Sequence, residues 1–190
     1  MNNDEALINK KEYLENFRVD LHNLKLLNNS KNSNEKLKNI LLRQIYISII
    51  GTMETFLWET FTDLTLSKDE YFRNFIMTFP KFQKQKYELS SIFIAYNELK
   101  AIAKNEIDKN IRFHNVSVVV PMFEKTFNID IPSPITREIY HAVTIRHDLV
   151  HKNGKTEKGN YHELNEKTIS YLIEEVSNFV EEIANKLGIE

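Results

Sequence analysis

Residues Pro134 to Gly154 read PITREIYHAVTIRHDLVHKNG. Ile135, Ile139, Ala142, Val143, Leu149 and Val150 recur at helical spacing and share one face. Ser133 and Pro134 stand ahead of them as N-cap and first helical residue. Asn153 and Gly154 follow, and either can take the left-handed conformation that ends a helix. The stretch is therefore expected to be one capped helix. Arg146 falls near the centre of its apolar face. A lone guanidinium there has to find an anion or stay solvated, because an unpaired buried charge is very costly.

Working outward, the helical period extends over nearly the whole chain. Downstream, KTEKGNYHE is a polar loop, and a last helix carries Ile169, Leu172, Ile173, Val176, Val180, Ile183 and Leu187 on one face. Glu174, Glu175, Glu181, Glu182 and Lys186 lie off that line, as a solvated surface does. Upstream, NIDIPSPIT is a loop. NVSVVVPMFEKTFNI has strand-like valines, yet Val116, Val119, Val120, Phe123 and Phe127 keep helical spacing. A short helix is expected there, with Pro121 tolerated in its first turn. Leu89, Ile92, Phe93, Tyr96, Leu99 and Ala103 form another stripe, and KDEYFRNFIMTF a shorter helix ended by Pro80.

The longest and most apolar helix is expected over about Glu35 to Leu66, with Leu42, Ile45, Ile49, Met53, Phe56 and Trp58 along it. Its apolar residues occupy more than one side, so it should be the central helix of a bundle. Gly51 within it would let a neighbour approach closely. Leu7, Leu14, Phe17, Leu21 and Leu24 mark a first helix to about residue 28, followed by the polar break NNSKNSNE. The expectation is an all-α bundle with a long central helix and short additional helices, one domain spanning 1–190.

Composition narrows the function classes. The 190 residues are 42% apolar with a net charge of −2, so no global basic field draws in nucleic acid and any polyanion site is local. The absence of cysteine excludes disulfides, thiol chemistry and cysteine-zinc sites. Four glycines, Gly51, Gly154, Gly159 and Gly188, assemble no phosphate-cradling loop of the Walker or dinucleotide type. The N-terminus has no signal-peptide core, and no apolar run reaches the ~20 residues of a bilayer span. A soluble, cytoplasmic protein without a membrane partner is expected.

On a regular helix, residues five apart point about 140° away from each other. Arg146 and His151 meet only if the helix frays at His151, or if two copies face each other across a dimer axis. The second arrangement would also bury the apolar stripe around Arg146 against a partner. An arginine beside a histidine suits phosphodiester chemistry. The guanidinium grips phosphate oxygens and stabilises added charge in a pentacoordinate transition state. An imidazole with a reference pKa of about 6.5 moves a proton near neutral pH. RNA brings its own nucleophile, the 2′-hydroxyl, so no metal is required.

RHDLVHKNG resembles the signature of HEPN ribonucleases: Arg, a polar residue, three more residues, then His, near the C-terminal end of an all-α domain. The long last helix and the apolar IYISIIGTMETFLWETF of the central helix agree with it. The resemblance implies a metal-independent endoribonuclease without cofactor. It acts as a homodimer whose two motifs form one composite site, and many members are toxins or antiphage effectors. Arg146 would stabilise the scissile phosphate and His151 would be the acid/base. His147, where Asn is common in the family, would orient the arginine or contact phosphate. Asp148 would orient a histidine or hold Arg146 in the absence of RNA. The products would be a 2′,3′-cyclic phosphate and a 5′-hydroxyl. A toxin of this kind would need an antitoxin or sensor protein to restrain it. One toxin branch carries a modifiable tyrosine two residues after the histidine; Asn153 stands there instead, and Tyr161 is too far along to match.

Plainer readings exist for each residue. Arg146 could pair with Glu54 or Glu59 of the central helix. His151 could simply favour the C-terminal end of the helix dipole. His147 and His151, four apart, share a face as metal ligands do, which supports a metal-dependent hydrolase as a rival, although no third ligand is evident beyond the nearby His141 and His162. His22 and His114 read as incidental surface residues. Between Arg137 and Asn160 there are five Lys/Arg against three Asp/Glu, a local net of +2. Lys152 and Lys155 would serve RNA phosphates, while Lys158 reads as part of a solvated loop. The remaining rival is a catalytically silent helical module that binds a protein or nucleotide and keeps the motif for dimer packing.

Overall fold

In the computed structural model the chain is described over residues 3–30, 34–84, 86 and 88–189, with the side chains of residues 3–9 and Asn97 outside that description. The expected place of Leu7 and the middle of the polar break, residues 31–33, therefore lie outside the described residues. The fold is all-α. It runs α1 (Asn3–Asn28), α2 (Glu35–Ser67), α3 (Asp69–Thr78), α4 (Pro80–Gln83), a 3-10 turn (Leu89–Ser91), α5 (Ile92–Asn110), α6 (Val116–Phe127), α7 (Ser133–His151) and α8 (Glu166–Leu187).

The central role expected for the longest helix holds, since α2 packs against α1, α3, α5, α7 and α8. Asn34 caps its start, its side-chain oxygen accepting from the Lys36 and Leu37 amides at 3.1 and 3.2 Å. By length and composition α2 alone would also pass for a membrane span, contrary to the sequence expectation. Leu42, Ile45, Ile49, Met53, Phe56 and Phe61 along it are nonetheless buried in the one continuous core. Each such side chain taken out of water contributes about 1.5–3 kcal/mol. Trp58 departs from that line: it is an exposed residue whose indole N–H donates to Asp108 Oδ1 at 3.1 Å. Gly51 also departs from expectation, because a Cβ built there meets nothing within 4 Å.

Phe61 is the hub of an aromatic cluster, with ring centroids 5.4 Å from Phe75, 5.1 Å from Phe123, 5.3 Å from Phe127 and 6.0 Å from Phe113. Such contacts add about 0.5–1.5 kcal/mol each beyond area burial. They fix α3 and α6 on α2, and through Phe113 they fix the turn between α5 and α6.

Two local expectations are corrected. Pro121 sits in the second turn of α6, not the first; its exposed ring faces solvent, where the lost amide is harmless to the core. Ser133 is not the N-cap of α7; the helix begins at Ser133 itself, behind Pro132, with no side-chain cap. The α5 stripe is helical but only its second half is core. Ala103 and Ile107 are fully buried, whereas Leu89, Phe93 and Tyr96 are 85%, 80% and 76% exposed, with no element among the described residues covering them.

Candidate functional site at the end of helix α7

The face of α7 expected to bury against a partner copy is core of its own chain instead. Ile139, Ala142 and Leu149 are buried, and α7 packs on α2, α6 and α8. Tyr46 of α2 donates its hydroxyl to the Ala142 carbonyl at 3.3 Å, and burial pushes its phenol pKa well up. Arg146 is thus aimed inward at α2, where Arg146 Nη2 lies 3.6 Å from Glu54 Oε1. Of the two carboxylates offered by the sequence, Glu54 is the one it meets.

This pair is incomplete. A charge-assisted bond closes at about 2.7–2.9 Å, and Arg146 Nε and Glu54 Oε1 are both buried without a hydrogen-bond partner. Glu54 Oε2 lies 3.1 Å from His114 Nδ1. His114 is therefore no incidental surface residue: Phe113, buried beside Phe61, turns it onto α2. Its role rests on a contact sixty positions away in the chain, which local pattern does not reveal.

The helix does not fray. The Lys152 amide donates to the Asp148 carbonyl at 3.0 Å and the Gly154 amide to the same oxygen at 2.8 Å. Asn153 and Gly154 both take positive φ, 52° and 82°, as expected for the helix end. Arg43 of α2 completes the end, donating to Asn153 Oδ1 at 2.9 Å and to the Leu149 carbonyl at 3.3 Å. His151 is exposed on the last turn, its ring 4.7 Å from that of His147. The structure brings these two histidines together. It does not bring either into contact with Arg146, which leaves on the opposite, inner side.

Asp148 is buried and fully engaged. Its Oδ1 accepts from Lys152 Nζ at 2.9 Å and its Oδ2 from His162 Nε2 at 2.9 Å. A carboxylate only accepts, so the His162 Nε2 carries the proton. The His162 bond, and then Lys152, hold the Asp148 carboxyl below the usual range. Asp148 does orient a histidine, but that histidine is His162, and its charge is not available to Arg146. The loop folds as a tight return: His162 N donates to Gly154 O at 3.0 Å, Thr156 N to Asn160 O at 2.7 Å, and Lys155 bridges to Tyr161. The Lys155 ammonium lies 5.4 Å from the centroid of the Tyr161 ring.

Beside His147 an open cleft of about 470 Å³ lies between α7 and the α5–α6 turn, and neither Arg146 nor His151 lines it. His147, Thr144, Tyr140 and Lys152 line one side, Arg112 and His114 the other. Lys152 thus faces the cleft while its charge is shared with Asp148; Lys155 is not part of the lining. Among the described residues no group of three or more metal-ligating side chains converges, so the His147–His151 pair has no third ligand beside it. No family model, no curated protein and no solved structure matches this chain.

Proposed function

We propose that this protein is a metal-independent endoribonuclease of the HEPN kind, with Arg146 and His151 in its site. The observation that carries the reading is Arg146 itself. It is a guanidinium with an unpaired buried Nε, held by one carboxylate at 3.6 Å, on the helix that also carries His147 and His151, of which His147 lines an open cleft. A buried donor without an acceptor costs about 1–3 kcal/mol. A phosphate that displaces Glu54 and accepts two bonds from Arg146 removes that cost.

In the reaction His151 takes the proton of the 2′-hydroxyl, whose oxygen attacks phosphorus. The bond from phosphorus to the 5′-oxygen breaks, and the leaving oxygen receives a proton from an acid on the opposite side. The products are a 2′,3′-cyclic phosphate and a 5′-hydroxyl. One chain directs Arg146 inward and His151 outward, so the full set of groups requires a second copy. A homodimer with facing motifs supplies it, with the second histidine as the acid. His147 and Lys152 contact neighbouring phosphates, and Lys155 contributes charge at the rim. The resemblance further supports a cytoplasmic toxin or antiphage effector restrained by an antitoxin or sensor protein. Growth arrest on expression of the gene alone tests that, and unchanged growth counts against it.

The decisive experiment incubates the purified protein with RNA in EDTA. Cutting is expected, and Arg146→Ala and His151→Ala are each expected to abolish it while the mass in light scattering stays unchanged. Full activity in both variants overturns the assignment. A second reading has an observation of its own: the Glu54 pair neutralises Arg146 without any ligand, as a silent helical binding module requires. In that case no RNA is cut, and Arg146→Ala alters only stability or dimer packing.

A further inference from the structure

Tyr140 stands on α7 seven residues before His147, two turns away on the same face and about 10 Å along the axis. It is 58% exposed, although it is one of the larger side chains of the helix. Its ring separates two adjoining depressions. One is the cleft shared with Arg112 and His147. The other, of about 340 Å³, lies toward the start of α7 and is lined by Ser117, Ser133, Thr136 and Arg137. A trough therefore runs from His147, past Tyr140, to the first turn of α7.

The charges along the trough are arranged for a phosphate backbone. Arg112 donates from Nη1 to the Lys109 carbonyl at 2.9 Å, which anchors one end of the guanidinium and leaves its other donors open. Among the described residues neither Arg112 nor Arg137 forms an ion pair. Asp148, the buried carboxylate at the cleft, is already neutralised by Lys152 and His162; Glu157 remains on the rim. One free guanidinium thus stands on each side of an exposed aromatic ring.

We propose that this trough is a track for single-stranded RNA: one base stacks on Tyr140 while Arg112 and Arg137 hold the flanking phosphates. A duplex cannot use it, because stacking on a side chain requires a base whose face is not already covered by its neighbours. Hydroxyls at Ser117, Ser133 and Thr136 line the distal part without offering shape or charge that reads a particular base. Strand state, more than sequence, is selected. The inference rests on the ribonuclease reading for the place of the scissile bond, but the track is testable without cleavage.

The test uses wild-type protein and a fluorescent 2′-O-methyl RNA of about ten nucleotides, which cannot be cut, followed by anisotropy. The single strand is expected to bind, and the same sequence as a blunt duplex to bind at least about tenfold more weakly. Tyr140→Ala should weaken single-strand binding about tenfold, the size expected for losing one stacked base. Tyr140→Phe keeps the ring and should restore it, and an unchanged melting temperature in Tyr140→Ala separates lost stacking from a folding defect. The double variant Arg112→Ala/Arg137→Ala should bind more weakly and show a shallower salt dependence. Equal binding of duplex and single strand, or wild-type affinity in both Tyr140→Ala and the double arginine variant, overturns the track. If RNA is cut normally in those same variants, the track falls and the ribonuclease reading stands. If the variants lose binding but wild-type protein never cuts RNA in EDTA, the ribonuclease reading falls and the track stands.

Discussion

Arg146 Nη2 and Glu54 Oε1 face each other at 3.6 Å across the α2–α7 contact, and neither Arg146 Nε nor that oxygen has a hydrogen-bond partner. Their side chains keep 19% and 25% of their exposure, although Arg146 Nε and Glu54 Oε1 themselves are buried. The carboxylate occupies the place a phosphate would take. Glu54→Gln should therefore lower stability by only about 1 kcal/mol, well short of the cost of breaking a tight, fully buried pair. The same variant should tighten RNA binding by a few-fold, since a like charge no longer competes at the guanidinium. Thermal melting and anisotropy with uncleavable RNA check the two effects. Unchanged RNA affinity in Glu54→Gln would separate Arg146 from the substrate.

His162 reaches back to Asp148 from the far side of the loop, and with the Gly154 and Lys152 amides it pins the end of α7. His162→Ala leaves a buried carboxylate oxygen without its donor, which should cost about 1–3 kcal/mol. The effect should be local. Amide exchange is expected to quicken across residues 152–162, while the helices α2 and α8 keep their protection. Cleavage should fall as well, because His151 is carried on the turn that this bond holds. Uniformly faster exchange through the whole bundle would contradict a local pin.

The pH dependence follows from opposite shifts at three carboxyls. Asp148 is held below the usual carboxylate range by His162 and Lys152. A depressed folded pKa contributes stability that is present above the unfolded value, about 3.9 for Asp, and is lost as pH falls through the folded value. Glu59 and Asp63, on α2 away from the motif, are pushed up, chiefly by burial. Their contribution has the other sign: it is present in acid and is lost as pH rises through their folded values. Asp148→Asn should therefore remove part of the stability gained between strong acid and neutral pH, while Asp63→Asn should raise stability at neutral pH and not in acid. Urea midpoints measured across pH 2.5–7 check both signs, and a midpoint profile unchanged by Asp148→Asn would refute the first.

Helical periodicity is a property of neighbours in sequence, and it located α2, α7 and α8 and the glycine-marked end of α7. It also placed Arg146 on an apolar face and offered Glu54 as a partner. What it could not supply were choices made by distant elements. Glu59, five residues after Glu54, points about 140° away from it and faces the groove with Tyr13; which of the two directions meets α7 is set by which helix packs on which side of α2. His114 and His162 reach their partners only because the aromatic cluster and the loop return bring them there. The stripe on α5 keeps the spacing of an apolar face. Spacing says that a helix has an apolar face, not that another part of the chain covers it, and Phe93 shows the difference.

Gly51 gives the last test. It lies in mid-helix in α2, and its expected use was to admit a close neighbour, yet a Cβ placed on it meets nothing within 4 Å. Its φ is not among the positive values of the chain, so an L side chain is not strained there. With neither contact nor conformation requiring glycine, only its entropic cost remains, about 0.5–1 kcal/mol relative to alanine in a helix. Gly51→Ala should raise the melting temperature by about 1–4 °C for a domain of this size. RNA cleavage should be unchanged, because the residue touches none of the groups around Arg146 and His151. A drop in melting temperature that grows with protein concentration would mean that a second copy packs on this part of α2 and needs the space the glycine leaves. Scanning calorimetry at two concentrations decides between an idle glycine and one reserved for the dimer.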